Sequence, residues 1–130
     1  METIEGSCLC GDVRFSYTPP SLWCGHCHCT LCQRAHGAPL VTWVGVSEDG
    51  FRFIQQQTLR WYASSDDSER GFCERCGTTL FFRSQRWPGE MHIVRTALPT
   101  EIDREPQGHT HCDTRAAWFP FHDDLPQVEA

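Results

Sequence analysis

The chain has 130 residues, enough for a single domain over residues 1–130, and its 11 Lys and Arg against 17 Asp and Glu give a formal charge of −6. This negative balance argues against nucleic acid and anionic membrane surfaces as partners. Its apolar runs are too short for a membrane-spanning helix, and its acidic opening residues lack the pattern of a secretory signal, so we expect a cytoplasmic protein.

Apolar and polar residues alternate over much of the chain, a period typical of half-buried strands. Val13, Phe15 and Tyr17 form one face of the first predicted strand. Further strands are predicted at residues 40–46, 51–53, 59–61, 79–82, 91–97 and 117–121, with a turn at 48–50, a polar loop at 66–69 and a frayed tail at 127–130. The five tryptophans are predicted to line the core or a pocket.

Helical patterning is confined to one short segment, from about Cys29 to His36. Gly37 and then Pro39 are expected to end this helix, because Gly adopts the left-handed conformation of a helix C-terminus and Pro cannot continue the helix. The sequence therefore predicts a mainly β fold with at most one or two short helical turns.

Cysteine is the most informative residue type, with nine copies in the chain. Without an export signal, this number favours metal binding or redox chemistry over disulfides, because reducing compartments keep thiols open. Eight of the nine lie in three clusters: Cys8-Leu9-Cys10-Gly11, the run CGHCHCTLC from Cys24 to Cys32, and Cys73-Glu74-Arg75-Cys76-Gly77. We therefore predict zinc sites.

The first and last clusters each offer half of a tetrahedral zinc site. Cys73 and Cys76 form a Cys-x-x-Cys that can point two thiolates at one ion from a tight turn. Cys8 and Cys10 lie on one side of an extended segment. Joining the halves closes a loop of more than sixty residues, and a structural zinc with a binding energy of order 10 kcal/mol offsets that cost.

The middle cluster suggests a different kind of site. Cys27, Cys29 and Cys32 are close enough in sequence to bind one ion from a single turn, yet they supply only three ligands. A zinc with three protein ligands keeps a position open for water or substrate. Spacing alone leaves two alternatives, because Cys24 forms its own Cys-x-x-Cys with Cys27, and His26 or His28 could be a ligand.

Four segments carry an ordered pattern of cysteines and flanking residues. They are Gly6-Ser7-Cys8-Leu9-Cys10-Gly11, Cys27-His28-Cys29-Thr30-Leu31-Cys32-Gln33-Arg34, Gly71-Phe72-Cys73-Glu74-Arg75-Cys76-Gly77-Thr78-Thr79-Leu80, and Trp118 with Asp123-Asp124-Leu125-Pro126. Together they resemble the glutathione-dependent formaldehyde-activating family, from about residue 6 to 126. The sequence departs from that pattern at Gln33-Arg34, which replaces a more usual basic pair, and at Cys24, which is not part of it.

The resemblance implies a fold and two sets of ligands. The fold is the Mss4-like one, mainly β, with several small coiled antiparallel sheets joined by zinc. A structural zinc is implied on Cys8, Cys10, Cys73 and Cys76. A labile, catalytic zinc is implied on Cys27, Cys29 and Cys32.

The activity implied by the resemblance is that of S-(hydroxymethyl)glutathione synthase, a carbon–sulfur lyase. The thiol of glutathione would take the open zinc position as thiolate and add to formaldehyde or a similar small electrophile. The alternative is a zinc-bearing protein without turnover, either a glutathione carrier or a protein-binding module. A redox enzyme of the methionine sulfoxide reductase type ranks last, since Cys112 is its only candidate thiol well outside the clusters.

Several charged residues near the cysteine motifs are candidates for thiol binding. Arg34 and Arg70 are predicted to pair with the carboxylates of glutathione, and Arg75 is a weaker candidate. The competing interpretation is that each is a solvated surface charge.

The sequence pattern around the histidines near the cysteines is less specific for a function. His28 lies between two predicted ligands and is expected to point away from them, which favours packing or hydrogen bonding over catalysis. His109, His111 and Cys112 form a second small group, for which an ordinary loop is the favoured interpretation.

Overall fold

The computed structural model describes residues 2–130, which form two β-sheets and one α-helix. In chain order the strands are β1 Ile4–Ser7, β2 Arg14–Tyr17, β3 Trp23–Cys27, β4 Val41–Ser47, β5 Phe51–Gln55, β6 Leu59–Ser65, β7 Ser68–Cys73, β8 Thr79–Ser84, β9 Glu90–Val94 and β10 His109–Thr110. The helix, α1, spans Thr30–His36. Short 3-10 turns follow β4 and β9, and a third lies at Cys112–Thr114.

The smaller sheet is antiparallel with the order β1-β2-β5. The larger sheet has seven strands in the order β10-β3-β4-β9-β8-β7-β6. Its strands are antiparallel except for β10, which pairs with β3 in parallel through Thr110 opposite Cys27. This pair brings the C-terminal part of the chain against the strand that leads into the middle cysteine cluster.

Phe81 on β8 joins the two sheets. Its ring is fully buried and packs edge-on against three rings of the smaller sheet, with centroids 5.0 Å from Phe15 and 5.6 Å from both Phe51 and Phe53. Edge-to-face packing suits the ring quadrupoles and adds to the hydrophobic gain of burial. The core between the sheets therefore fixes β1 and β2 relative to β7 and β8, which carry the first and last cysteine clusters.

Helix α1 has defined caps at both ends. The sulfur of Cys29, at the N-cap, accepts a hydrogen bond from the backbone N–H of Cys32 at 3.3 Å. Gly37 ends the helix with φ of 62°, and its N–H donates to the carbonyl oxygen of Gln33. The predicted helix and its glycine end are confirmed.

The prediction of a mainly β, Mss4-like fold is confirmed, with two sheets of which one is larger than predicted. All the predicted strands before residue 100 exist, with shifts of a few residues at their ends. The sequence did not predict β1, β3, β7 and β10. These strands are short, or contain Gly and polar residues that weaken the alternating pattern.

Three predictions for the second half of the chain are wrong. Residues 117–121 are not a strand, and Trp118 is 74% exposed instead of lining the core. Pro120 lacks the N–H that a strand ladder needs. The polar loop at 66–69 shrinks to a turn, because Ser68 begins β7. The predicted frayed tail is hydrogen-bonded, with the N–H of Val128 donating to His109 and the N–H of Cys112 donating to Val128.

Among residues 2–130, every helix is too short or too polar to cross a bilayer.

Candidate metal centres

Two groups of cysteine sulfurs converge in the structure, and they contain the seven predicted ligands. The four-cysteine group consists of Cys8, Cys10, Cys73 and Cys76, and the three-cysteine group consists of Cys27, Cys29 and Cys32. Within each group the sulfur atoms lie within 4.8 Å of one another.

The four-cysteine group forms where two hairpin loops meet. Cys8 and Cys10 lie in the loop between β1 and β2, whereas Cys73 ends β7 and Cys76 lies in the following turn. Gly77 closes that turn with φ of 82°, and its N–H donates to the carbonyl of Cys73 at 2.8 Å. Two segments that are distant in the sequence therefore present their sulfurs to one point.

The sulfur separations in this group fit a tetrahedral zinc ion. Cys10 Sγ is 3.6 Å from the sulfur of Cys8 and 3.8 Å from that of Cys73. Four sulfurs at 2.3 Å from a central zinc would be about 3.8 Å apart. The donor set and its spacing thus suit the ion that was predicted here.

Hydrogen bonds from neighbouring groups stabilise negative charge on these sulfurs. The N–H of Val13 donates to Cys8 Sγ at 3.3 Å, and Thr58 Oγ1 lies 3.3 Å from Cys73 Sγ. Desolvation opposes the charge at Cys76, but hydrogen bonds from Thr78 and Cys10 together outweigh it and lower the pKa of Cys76 to about 5. Outer hydrogen bonds of this kind orient metal ligands.

Thr78 also connects the two loops. Its hydroxyl oxygen accepts from the N–H of Leu9 at 3.1 Å and lies 3.2 Å from Cys76 Sγ. Sequence reasoning missed this residue and Thr58, because an isolated threonine carries no spacing signal of its own.

The three-cysteine group is formed by one strand and one helix. Cys27 ends β3, Cys29 is the N-cap of α1, and Cys32 lies buried in its first turn. Hydrogen bonds from the thiols of Cys27 and Cys32 lower the pKa of Cys29 to about 2, and the same hydrogen bond with Cys29 raises the pKa of Cys27. The group thus favours a thiolate, and its three sulfurs leave one position of a tetrahedron free.

Comparison with known proteins supports the same interpretation. The model of the family described as glutathione-dependent formaldehyde-activating enzyme matches residues 3–114. The chain belongs to this family. The family is named as an enzyme family, and its model covers all seven cysteines of the two groups.

Two curated relatives and one crystal structure are similar to this family member. A Halomonas elongata protein, provisionally named as a glutathione-dependent formaldehyde-activating enzyme, is 28% identical over 124 residues, which are 88% of this chain and 78% of the relative. A Schizosaccharomyces pombe protein named as an uncharacterized lyase is 33% identical over 63% of this chain and 58% of its own length. The crystal structure of a Rhodobacter sphaeroides protein matches with a TM-score of 0.63 and 18% identity, covering 95% of this chain and 98% of that one, and supports the fold.

Arg70 lies beside the three-cysteine group. Its side chain is 5% exposed, and its two terminal nitrogens lie 3.7 and 3.6 Å from Cys32 Sγ. Its Nε is buried without a hydrogen-bond partner in residues 2–130. Arg70 was predicted to bind a carboxylate, but the terminal nitrogens of its guanidinium group face the sulfur of Cys32.

A cavity of about 410 Å³ is lined by Arg70, which contacts Cys32, although none of the three cysteines lines the cavity itself. Arg34 and Leu31 of α1 form one wall, and Tyr62, Ser64 and Arg70 belong to the opposite sheet. The Ser64 hydroxyl is also buried without a partner in the described chain. A larger cavity of about 540 Å³ lies elsewhere and is lined neither by Arg70 nor by any of the seven cysteines, so we place the candidate site at the smaller one, which Arg70 connects to the three-cysteine group.

None of the remaining candidates belongs to either sulfur group. Cys24 is 2% exposed on β3, and burial raises the pKa of its thiol. Cys112 is buried beside the C-terminal segment, and Arg75 is exposed in an ion pair with Asp12 at 2.7 Å. His111 adopts a left-handed conformation with φ of 56° before the last 3-10 turn.

His28 is buried and makes a side-chain hydrogen bond, which agrees with the predicted packing or hydrogen-bonding role. Its Nε2 lies 2.8 Å from Nδ1 of His109, whose Nε2 in turn lies 2.9 and 3.1 Å from the carboxylate oxygens of Asp123. His26 lies beside them, with its ring 4.7 Å from that of His109. His26, His109 and Asp123 also lie close enough together to be a potential metal cluster, which the sequence did not reveal because it spans nearly a hundred positions.

Proposed function

We propose that this protein is a zinc-dependent enzyme of the carbon–sulfur lyase type that joins a glutathione-like thiol to formaldehyde or a similar small electrophile. The observation that carries the proposal is the convergence of three sulfurs beside a buried arginine, Arg70, which also lines a cavity. Residues 1–130 would act as one zinc-binding domain, in which the four-cysteine group holds a structural zinc.

The chemistry of the three-cysteine group fits a labile zinc ion. An open zinc site has three protein ligands and a free fourth position, and cysteine thiolates are among the usual ligands of zinc. When bound there, zinc would keep an incoming thiol in its thiolate form at neutral pH.

The reaction itself is an addition without oxidation or reduction. The substrate sulfur loses its proton and forms a bond to the carbonyl carbon, while the π electrons of the C=O bond move to oxygen. The oxygen then takes up one proton, which gives a hydroxymethyl thioether.

Two arginines of the cavity have different proposed roles. Arg34 lines the cavity from α1 and is proposed to pair with a carboxylate of the thiol substrate. Arg70 is proposed to stabilise the Cys32 thiolate, because its terminal nitrogens face that sulfur. The sequence-based proposal that Arg70 also binds a substrate carboxylate would use the N–H groups that do not face Cys32, among them the unpaired Nε.

One observation favours a glutathione carrier as the second candidate. The residues that line the cavity include two arginines but no carboxylate and no imidazole, so the cavity itself offers no ordinary general base. A protein that only holds the thiol as thiolate would need none.

Exchange spectroscopy separates the two candidates. Zinc-replete protein is mixed with glutathione and ¹³C-formaldehyde at equilibrium, and the exchange rate between free aldehyde and thiol adduct is measured by NMR. An enzyme accelerates this exchange, and the Cys29→Ser variant should lose the acceleration. Glutathione binding by calorimetry without faster exchange would support the carrier, and absence of both would contradict the proposed site.

A matched pair of arginine variants tests the cavity. Arg34→Gln should weaken glutathione binding about tenfold, in line with the loss of one charge-assisted pair, while zinc content stays unchanged. Arg52→Gln, on the exposed side of β5, is the control and should change neither quantity.

A further inference from the structure

A chain of hydrogen bonds links the C-terminal segment to the loop that carries the three-cysteine group. It runs from the Asp123 carboxylate to His109 and on to His28, and both histidines are 2% exposed. His28 lies directly between Cys27 and Cys29. None of these three side chains belongs to the seven sulfur ligands.

The Asp123 carboxylate, at one end of this series of hydrogen bonds, determines the tautomers of the His109 and His28 rings. An ionised carboxylate only accepts hydrogen bonds, so Nε2 of His109 must donate to Asp123. In neutral His109 the other nitrogen, Nδ1, is then an acceptor, and Nε2 of His28 must donate to it. The hydrogen bond with His109 also lowers the pKa of Asp123, which keeps the carboxyl group ionised.

The backbone of His28 is held by the same segment of the chain. Its N–H donates to the carbonyl of Thr110 at 3.0 Å, and its carbonyl accepts from the hydroxyl of Thr114 at 3.1 Å and from Gln33 Nε2 at 2.8 Å. Ring and backbone together therefore fix the residue between two predicted ligands.

We propose that Asp123 is a positioning residue for the three-cysteine site and that it acts through His109 and His28 to hold Cys27 and Cys29 in place. Partners of this kind, one shell outside the ligands, orient the ligands of metal sites. The consequence for zinc rests on the proposed function, whereas the hydrogen-bond relay itself does not.

Geometry favours this relay over a further metal site at the same residues. Both ring nitrogens of His109 already have partners within 2.9 Å, and Nδ1 of His26 lies 2.7 Å from the hydroxyl of Thr42. A metal ion bound by His26, His109 and Asp123 would have to replace the hydrogen bond between His109 and Asp123.

The first test reads the tautomers. The N–H of Leu125 donates to Oδ1 of Asp123 at 3.0 Å and should hold the amide oxygen of the Asp123→Asn variant, which then presents NH₂ to His109. His109 would have to accept at Nε2 and carry its proton on Nδ1, so His28 would reverse as well. ¹⁵N NMR of the histidine rings should show Nε2–H for both residues in the wild type and a change at both in the variant.

The second test measures zinc at each site. Chelator competition with site-resolved alkylation should show zinc bound at least tenfold more weakly to the three-cysteine group of Asp123→Asn, with the four-cysteine group unchanged. Asp124→Asn, an exposed neighbour, is the matched control.

Three outcomes overturn the relay: unchanged tautomers in Asp123→Asn, equal weakening of both zinc sites, or a further zinc that is lost in His26→Gln. Failure of the proposed function would give a different result from these three outcomes. The wild-type protein would then bind no zinc at the three-cysteine group, whichever tautomers the histidines adopt.

Discussion

The guanidinium group of Arg70 faces the sulfur of Cys32 in a buried part of the molecule. Its terminal nitrogens lie 3.7 and 3.6 Å from Sγ, and the ring of Phe82 lies 4.9 Å from its central carbon. A buried cation is costly without an opposite charge, so this contact favours the thiolate form of Cys32. The hydrogen bond with Cys27 also lowers the pKa of Cys32, but the hydrogen bond with Cys29, burial and the charge of Cys29 raise it by more.

Replacing Arg70 by Gln should therefore weaken zinc binding at the three-cysteine group by about tenfold or more, as is common when an outer partner of a metal ligand is lost. The four-cysteine group should keep its zinc. Site-resolved alkylation after chelator competition measures both, with Arg52→Gln as the exposed control. Unchanged zinc affinity in Arg70→Gln would show that the contact does not support the thiolate.

His36, in the last turn of α1, should make stability depend on pH. Burial, and then the charge of Arg70, lower the pKa of His36 from 6.5 to about 4, and its Nε2 has no hydrogen-bond partner in the described chain. In the unfolded chain the ring takes up a proton near pH 6.5, whereas the folded protein resists protonation until about pH 4. The free energy of unfolding should therefore fall as pH drops from 6.5 to 4 and lose no more from this residue below that.

The pKa shift of His36 sets the size of this loss in the free energy of unfolding, which should be about 1 to 3 kcal/mol. Urea unfolding of wild type and His36→Gln between pH 4 and 8 isolates it, because thiolate protonation affects both proteins and cancels in the difference. A difference that stays constant across this range would contradict the assignment.

The sequence predicted which cysteine sulfurs lie together, because the spacing of the cysteines restricts which side chains can converge. In a Cys-x-Cys or Cys-x-x-Cys motif, the spacing lets the two cysteine side chains point the same way. The structure brings the motif that contains Cys8 and the motif that contains Cys73 together. The alternation of apolar residues likewise predicted β4 and β8, which are rich in β-branched and aromatic residues.

The contacts around the site were harder to predict. The partners of His28 and Cys32 lie 81 and 38 positions away in the chain, so only the pairing of strands brings them together. The exposed position of Trp118 was missed for a related reason, since a large apolar residue predicts burial unless the path of the backbone is known.

Cys24 is expected to be dispensable for zinc. It is 2% exposed within β3 and belongs to neither sulfur group. Cys24→Ala should keep the wild-type zinc content and cost about 1 kcal/mol of stability through lost packing, whereas Cys24→Ser should cost more because it buries a hydroxyl. Elemental analysis and urea unfolding measure the two effects. Loss of one zinc from Cys24→Ala would mean that Cys24 closes the middle site.

The two sulfur groups should respond differently to the loss of one ligand. Cys76→Ser leaves three thiolates to hold the junction between the β1–β2 and β7–β8 loops, which are more than sixty residues apart. Because a zinc ion bound there would offset the entropy of closing that long loop, the variant should misfold or aggregate. In Cys29→Ser almost no chain is released, since Cys27 and Cys32 lie within six positions.

Cys29→Ser should also keep helix α1, because serine is a good N-cap and can accept the hydrogen bond from Cys32 that the sulfur now accepts. The variant should therefore fold, melt close to the wild type and lose productive thiol binding. Thermal melts, zinc analysis and glutathione titration on both variants, with Cys24→Ala as the cysteine control, test this contrast. Equal loss of stability in the two variants, or retained thiol binding in Cys29→Ser, would show that the structural and functional roles have been assigned to the wrong groups.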